Sequence, residues 1–196
     1  MGVFFILDGL IVAGWFKETL TITDTSSWSI GKIVSGYGYL LSQPLFIIYS
    51  LCSGIGLSFV LTFSNMASFI VQQHYGQSAI VYGWVGACVG SGSFLGKLLC
   101  SRCVHVLGIR RGVRVGMRTF LLFGVLLMAC QSTLGVSFDV FVVTMSVANL
   151  GLGFIFSNSV AGALSHYKHM SGTAGALYGA IQNGVAFIVS LIIGLK

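Results

Sequence analysis

The fold class of this chain is decided by residues 138–164, which read FDVFVVTMSVANLGLGFIFSNSVAGAL. Asp139 is the one charged residue in this stretch. A run of this length and apolarity can cross the hydrocarbon core of a bilayer as an α-helix, at about 1.5 Å per residue. A strand of a membrane barrel would instead alternate apolar and polar residues over about ten positions. The stretch therefore predicts a membrane-spanning helix.

The composition of the whole chain supports the same interpretation. Its 196 residues are 56% hydrophobic and only 7% charged, with a mean hydropathy of +0.95. Soluble domains contain about a quarter charged residues, and disordered chains are poor in apolar residues. A soluble enzyme, a nucleic-acid-binding domain and a disordered chain are therefore disfavoured. Because backbone polar groups in hydrocarbon must be paired internally, we expect an all-α polytopic membrane protein.

Six apolar runs divide the chain. The predicted spans cover approximately residues 1–16, 44–71, 79–100, 115–134, 138–164 and 173–195. The first run is short and contains Asp8, but it has no preceding Lys or Arg and no following cleavage site, so we favour a helix over a signal peptide. The intervening segments 17–42, 101–114 and 165–171 are predicted to be a linker, a basic loop and a polar connector.

The positive charges predict the orientation of these spans. Nine of the ten basic residues fall in segments on one side of the predicted membrane, and only Lys196 falls elsewhere. Cytoplasmic loops of membrane proteins carry an excess of Lys and Arg. We therefore expect segments 17–42, 101–114 and 165–171 to be cytoplasmic, with the first span entering from outside. Such a start suggests that further sequence precedes it.

Small residues occur at helix-packing spacing in the third run. The pairs are Gly86-x-x-x-Gly90 and Gly92-x-x-x-Gly96. Glycines four residues apart let helix backbones approach closely. We interpret both pairs as packing positions.

Two stretches near the end of the chain resemble a known family. Residues 157–164 read SNSVAGAL and residues 171–182 read SGTAGALYGAIQ. Together they resemble the junction of helices ten and eleven in Bcr/CflA-type drug-resistance transporters, a drug:proton antiporter branch of the major facilitator superfamily. The segments Glu18-Thr19-Leu20 and Tyr75-Gly76-Gln77-Ser78 resemble its motifs after helices six and seven. The residues at matched motif positions are Glu18, Gly172, Thr173, Ala174, Gly179 and Gln182.

The resemblance implies a partial major facilitator fold. Its register assigns the six runs to helices six through eleven of a twelve-helix carrier in the bacterial inner membrane. The implied activity is proton-coupled efflux of small lipophilic, drug-like compounds by alternating access. Helices one to five and twelve have no counterpart here, so we expect the chain to be inactive alone. A separately made N-terminal half is a possible partner besides the lipid bilayer, and no nucleic acid is expected.

The resemblance also implies where a substrate would bind. Helices seven and ten line the central cavity in this superfamily, and aromatic and small polar groups suit lipophilic, often cationic compounds. The substrate-cavity candidates are Tyr49, Ser53, Asn65, Asn149, Phe154 and Asn158. Helix packing is the alternative role for each of them. Gln182 and Asn183 are expected to form interhelical hydrogen bonds.

The charged residues suggest limited coupling chemistry. An antiporter needs an intramembrane carboxylate, and Asp8 is the only acid within an apolar run. We favour a water-accessible helix end over a coupling role for Asp8. The basic segment from Lys97 to Arg118 is expected to act in gating at the cytoplasmic face and in topology. Its loop arginines are Arg102, Arg110, Arg111 and Arg114.

Two other kinds of site are less favoured. Cys100-x-x-Cys103 together with His166 and His169 has the residue types of a zinc site, but the spacing differs from common zinc modules. Intramembrane proteolysis would need an activated serine beside a histidine, and every histidine lies in a predicted loop. We therefore expect no metal, no cofactor and no enzymatic activity. The remaining alternative to a split transporter is a truncated membrane protein that does not transport.

Overall fold

A computed structural model describes residues 30–133 and 135–194, and within these residues it contains helices and no strand. Most of the described residues belong to one compact unit, which begins at Ser35. The helices are α1 (Ile30–Leu41), α2 (Pro44–Phe69), α3 (Ala79–Thr133), α4 (Phe138–Leu164) and α5 (Ser171–Gly194). The predicted all-α fold is confirmed. The predicted first span, 1–16, and most of the linker 17–42 lie outside the described residues.

The boundaries of α2 follow from local chemistry. Pro44 occupies the first turn, where its missing N–H leaves no helical hydrogen bond unmade. At its other end α2 continues as a π-helical turn, Ile70–His74, and the Tyr75 N–H donates to the Ile70 carbonyl at 3.1 Å. Gly76 then adopts a φ of 63°, which ends the helix before α3 begins. The helix thus extends a few residues past the predicted end of its span at residue 71.

The basic segment 101–114 differs from the sequence-based expectation. It is helical rather than a loop, except at Gly108, whose φ of 71° and ψ of 159° interrupt α3. Only glycine adopts such a backbone conformation readily. Gly108 therefore divides α3 into two helical segments, 79–107 and 109–133. The connection between the two helical segments is therefore a single residue, whereas the sequence predicted a loop of fourteen residues, 101–114.

Contacts with α4 show that Gly108 reverses the chain direction. Position 92 of α3 lies against Ser146 and position 96 against Leu150, so segment 79–107 runs parallel to α4. Gly112 instead lies against Asn158, and Gly116 against Gly151, so segment 109–133 runs antiparallel to it. The two segments therefore form a helical hairpin that packs around α4.

The other helices continue this alternation. Ser53 of α2 contacts Gln182 of α5, and Phe46 lies in the same cluster as Ala174, so α2 and α5 run parallel. Tyr49 lies against Gly162 while Gly56 lies against Leu152, so α2 runs antiparallel to α4. Gly108 and the connector 165–170 are consequently at one end of the bundle, and the turns 75–78 and 135–137 are at the other. The membrane orientation of these ends stays a prediction.

Two apolar clusters hold the two ends of the bundle together. The cluster at the Gly108 end contains Leu40, Phe46, Tyr49, Ala163, Ala174 and Tyr178. The cluster at the opposite end is built on Val71, Val85 and Val89. Elsewhere large apolar side chains face outward, as Met128 at 75% exposure illustrates. An apolar exterior is what a bilayer solvent requires.

Four stretches among the described residues are long and apolar enough to cross a membrane: Pro44–His74, Ala79–Cys130, Phe138–Leu164 and Lys168–Ile193. The reversal at Gly108 divides the second stretch into two segments, 79–107 and 109–130, of roughly 44 Å and 33 Å. Each of these exceeds the ~30 Å hydrocarbon thickness. The described residues are therefore helical wherever they cover the five predicted spans between 44 and 195, and the membrane boundaries of these spans stay a prediction.

Candidate functional site

A cleft with a volume of about 290 Å³ lies between α2, segment 79–107 of α3, and α4. It forms because α2 and α3 both pack against α4, whereas the backbones of α2 and α3 come close to each other at few positions. Phe63, Tyr82 and Phe156 supply aromatic surface to its walls. The polar side chains in its lining are Ser64, Tyr82, Ser93, Lys97 and Asn149. A mostly apolar cleft with a few polar groups is the usual form of a small-molecule site.

Two glycines of α3 help to create this space. Gly86 and Gly90 both line the cleft, and a Cβ added at either position would meet no atom within 4 Å. The cleft is therefore open along this face of the helix. The predicted packing role of the pair Gly86-x-x-x-Gly90 is not seen within the described residues.

Lys97 is the charged residue in the lining of the cleft. It lies eleven residues before Gly108, or roughly 16 Å along the helix axis. The sequence grouped Lys97 with the cytoplasmic basic segment, whereas the structure places it well inside the long helix. Asp139, the one acid among the described residues, lies in the first turn of α4, at the other end of the bundle. No carboxylate among the residues that the structure describes lines the cleft with Lys97.

One of the six substrate-cavity candidates, Asn149, lies in the lining of the cleft. Its side chain is 6% exposed, and its Nδ2 donates to the Met145 carbonyl at 3.0 Å. Asn65 is exposed and lines a separate polar pocket with Ser68, Gln72 and Gln73. The structure therefore does not bring Asn65 and Asn149 to one cavity.

The candidates Tyr49 and Ser53 lie in helix interfaces. The Tyr49 ring contacts Gly162 so closely that a Cβ there would lie 2.6 Å from it. Ser53 is fully buried and accepts a hydrogen bond from Gln182 Nε2 at 2.8 Å. These contacts join α2 to α4 and α5. Contact with a substrate stays a prediction for both residues.

Phe154 and Asn158 lie on the side of α4 that faces the α3 hairpin. Phe154 packs against Gly116. Asn158 Nδ2 donates to Cys100 Sγ and to the Phe154 carbonyl, both at 2.9 Å, while its buried Oδ1 has no partner. Asn158 thereby connects α4 to the first segment of α3. Packing accounts for these positions, and a substrate role for them stays a prediction.

The matched motif positions on α5 have different environments. Ala174 is fully buried in the cluster at the Gly108 end, and Gln182 makes the predicted interhelical hydrogen bond. Thr173 lies 3.4 Å from a Cβ added at Gly36, whereas Gly172 and Gly179 have open space beside them. Asn183 donates to the Gly179 carbonyl within its own helix, so the expectation of an interhelical bond from Asn183 was wrong. Glu18 lies outside the described residues.

The basic residues of segment 101–114 are exposed, and the residue types that bind metals do not cluster among the described residues. Arg102, Arg110, Arg111 and Arg114 are exposed on the helices that flank Gly108. Within residues 30–133 and 135–194, no three His, Cys, Asp or Glu side chains come together in a way that would hold a metal ion.

A second cavity, of about 570 Å³, opens at the far end of the bundle from Gly108. Its walls are almost wholly apolar and include Met66, Phe69 and Met128, with His74 and Tyr75 at the π-helical turn. The Tyr75 hydroxyl donates to the Val136 carbonyl at 3.1 Å. Burial raises the pKa of Tyr75, which keeps the phenol protonated as a donor. This bond ties the end of α2 to the start of α4.

The chain was compared with known proteins. It is 25% identical over 191 residues to the uncharacterized MFS-type transporter YdgK of Bacillus subtilis strain 168. This chain is similar to a major facilitator transporter. The similarity covers 95% of the chain but 46% of the relative, so the chain spans about half the length of the curated relative that it matches. No family model matches the chain, and no solved structure matches it.

The sequence contains a pattern that could have predicted the α3 wall of the cleft. Gly86, Gly90, Ser93 and Lys97 recur at intervals of three and four residues, so they share one face of α3. The assignment of Lys97 to a basic loop hid this pattern. Ser64 and Phe63 carried no comparable signal, because their position in the cleft depends on how α2 packs.

Proposed function

We propose that this chain forms the C-terminal part of a proton-coupled exporter of small lipophilic compounds in the bacterial cytoplasmic membrane. The observation that carries the proposal is the cleft between α2, α3 and α4 in a chain whose sequence is similar to that of a major facilitator transporter. Its aromatic and polar lining suits a small amphipathic molecule. The cleft would serve as one wall of a binding site that opens alternately to the two sides.

Proton coupling would require groups beyond the described helices. Among the described residues Asp139 is the one acid, and it lies at a helix end rather than beside the cleft. Intramembrane carboxylates are the usual proton carriers in such transporters. The proposal therefore assigns coupling to another part of the assembled protein, which agrees with the similarity covering 46% of the relative.

The proposal is tested in cells that lack endogenous efflux activity. One strain expresses this chain alone, and a second expresses a chimera in which the chain replaces the matching part of the Bacillus relative. We expect the chimera to lower accumulation of fluorescent lipophilic dyes of positive, neutral and negative charge, or a subset of them. A protonophore should abolish the effect, and the chain alone should have none.

Two controls make the result decisive. Gly90→Leu fills the cleft of the chimera without a backbone clash, and it should restore dye accumulation. Membrane levels of each protein are measured by immunoblotting. Proton-dependent efflux by the chain alone would contradict the proposal that coupling needs another part of the assembled protein. A chimera that is well expressed but inactive toward every dye would favour the alternative, a membrane protein that does not transport.

A further inference from the structure

We infer that the cleft binds lipophilic molecules that carry a carboxylate or a similar anionic group, with Lys97 as the residue that pairs with the anion. The inference rests on the proposed function for its transport context, and it narrows the substrate class of that site. It also departs from the cationic compounds expected from the aromatic residues of α2 and α4. The reasoning concerns the charge, the donors and the shape of the cleft.

The charge of the cleft favours an anion. Lys97 lines it about 16 Å from the helix reversal, and the described lining residues include no Asp or Glu. A charged side chain within a spanning segment is costly, so it usually pairs with an opposite charge or faces a polar cavity. A ligand anion would supply a countercharge that the described lining residues do not provide. A ligand cation would instead meet a like charge.

The hydrogen-bond donors of the cleft also favour an anionic ligand, because Lys97 is the side chain with the most donors. The Ser93 hydroxyl donates to the Gly90 carbonyl at 2.9 Å, and Asn149 Nδ2 donates one hydrogen to the Met145 carbonyl. These side chains therefore have fewer hydrogens left for a ligand. Lys97 has three N–H donors and no acceptor, and the Ser64 hydroxyl lies in the same lining. An acceptor-rich group such as a carboxylate complements this set.

The shape of the cleft defines the rest of the ligand. Phe63, Tyr82 and Phe156 offer aromatic walls, and Gly86 and Gly90 leave the helix backbone open to close approach. A volume of about 290 Å³ is near the lower limit for small-molecule pockets. The ligand class is thus a compact aromatic or alicyclic body, of one or two rings, with one anionic group.

The experiment compares three probes that share a naphthalene ring: naphthaleneacetate, its neutral amide and naphthylethylammonium. Their binding to the full chain in phosphatidylcholine nanodiscs is measured by fluorescence, with empty nanodiscs as the blank. We expect the carboxylate to bind most tightly. Lys97→Met should weaken carboxylate binding about tenfold or more and change amide binding less than about twofold, since a charge-assisted hydrogen bond is lost. Lys97→Arg should retain most of the carboxylate affinity.

Matched variants separate Lys97 from general effects. Arg102→Met removes a charge from the same helix outside the cleft lining, and it should leave all three affinities unchanged. Gly90→Leu should reduce binding of all three probes because it fills the cleft. Equal losses for the three probes in Lys97→Met, or no loss for the carboxylate, would overturn the inference. Unchanged amide binding shows that the variant is folded.

Two further comparisons distinguish a lipid headgroup from a small molecule as the bound anion, and failure of this inference from failure of the proposed function. If phosphatidylglycerol in the nanodiscs removes the Lys97-dependent binding of the carboxylate, the anion site belongs to a lipid headgroup and the small-molecule inference is wrong. If the efflux assay fails while charge-selective binding persists, only the proposed function fails. If efflux occurs without preference for anionic dyes and Lys97→Met has no effect, only this inference fails.

Discussion

Two faces of segment 79–107 of α3 have the same glycine spacing but different surroundings. Gly92 and Gly96 lie directly against the backbone carbonyls of Ser146 and Leu150 in α4. Gly86 and Gly90 lie against no atom within 4 Å and form the open wall of the cleft. One pair brings two helices together, and the other leaves room between two helices.

The difference shows that spacing alone does not assign a partner. Both pairs have the G-x-x-x-G pattern, but six residues separate their first members, which places the pairs roughly 120° apart around a helix of 3.6 residues per turn. Only one of these faces is turned toward α4. What a small-residue pair does therefore depends on which neighbouring helix lies opposite it.

The largest expected effect comes from adding a methyl group to the face of α3 that packs against α4. Gly96→Ala places a Cβ against the Leu150 carbonyl, where backbone rather than a flexible side chain must move. We expect a loss of about 2–3 kcal/mol in unfolding free energy, the cost typical of overpacking. Unfolding in mixed detergent micelles, followed by tryptophan fluorescence or circular dichroism, measures it.

Gly86→Ala is the matched control for this comparison. It makes the same change on the same helix, but it adds the methyl group to open space. We expect it to be neutral or to stabilise by up to about 1 kcal/mol, since Ala favours helix more than Gly does. Equal destabilisation by both substitutions would show that the two faces are not packed as described.

Much of the fold could be predicted from sequence because the bilayer leaves few choices. Residues 138–164 were predicted to be a helix, and α4 has the same limits, Phe138 and Leu164. The long apolar run alone determined this. In contrast, the basic segment 101–114 was expected to be a loop because charge marks a boundary of the membrane, not the end of a helix. The structure shows that a single glycine, Gly108, makes the turn.

The site was less predictable than the fold. Asn149 and Asn158 are nine residues apart on α4 and were both proposed to line a cavity, and the lining of the 290 Å³ cleft includes Asn149 but not Asn158. Asn158 instead bonds to Cys100, because α4 turns that part of its surface toward the α3 hairpin. Composition and spacing do not reveal which side of a uniformly apolar helix faces a neighbour. Lys97 was missed for the related reason that its charge was attributed to a loop.

The interface between α2 and α5 allows a second comparison, with a smaller expected effect than that of Gly96→Ala. In the α2–α5 interface, Gly54 approaches Val185 and Ser53 accepts the hydrogen bond of Gln182. A double-mutant cycle of Ser53→Ala and Gln182→Leu should give a coupling energy of about 0.6 kcal/mol, typical of interhelical bonds in membranes. Denaturation in mixed micelles supplies the four unfolding free energies.

Asn183 provides the control for this cycle. It is adjacent to Gln182 but bonds to the Gly179 carbonyl of its own helix. A cycle of Ser53→Ala with Asn183→Leu should therefore show no coupling. Similar coupling energies for both pairs would indicate that they arise from general packing of the α2–α5 interface and that the hydrogen bond between Ser53 and Gln182 contributes little.

The smallest expected effect concerns Tyr75, which lines the second cavity at the end of the bundle away from Gly108. Tyr75 bonds to the Val136 carbonyl, and its ring packs 5.5 Å from those of Phe138 and Phe141, measured between centroids. It thus braces α2 against α4 at the end of the bundle away from Gly108. Tyr75→Phe keeps the ring contacts and removes one hydrogen bond, so we expect a loss of about 0.5 kcal/mol at neutral pH.

The pH dependence of this difference in unfolding free energy tests whether the Tyr75 hydroxyl is buried in the folded protein. Because burial raises the pKa of Tyr75 in the folded protein, the protonated phenol contributes stability below the unfolded-state pKa of about 10. That contribution is lost as the pH rises through the folded-state pKa. The gap in unfolding free energy between wild type and Tyr75→Phe should therefore narrow above about pH 10. A gap that stays constant or widens there would contradict the burial of the Tyr75 hydroxyl in the folded protein.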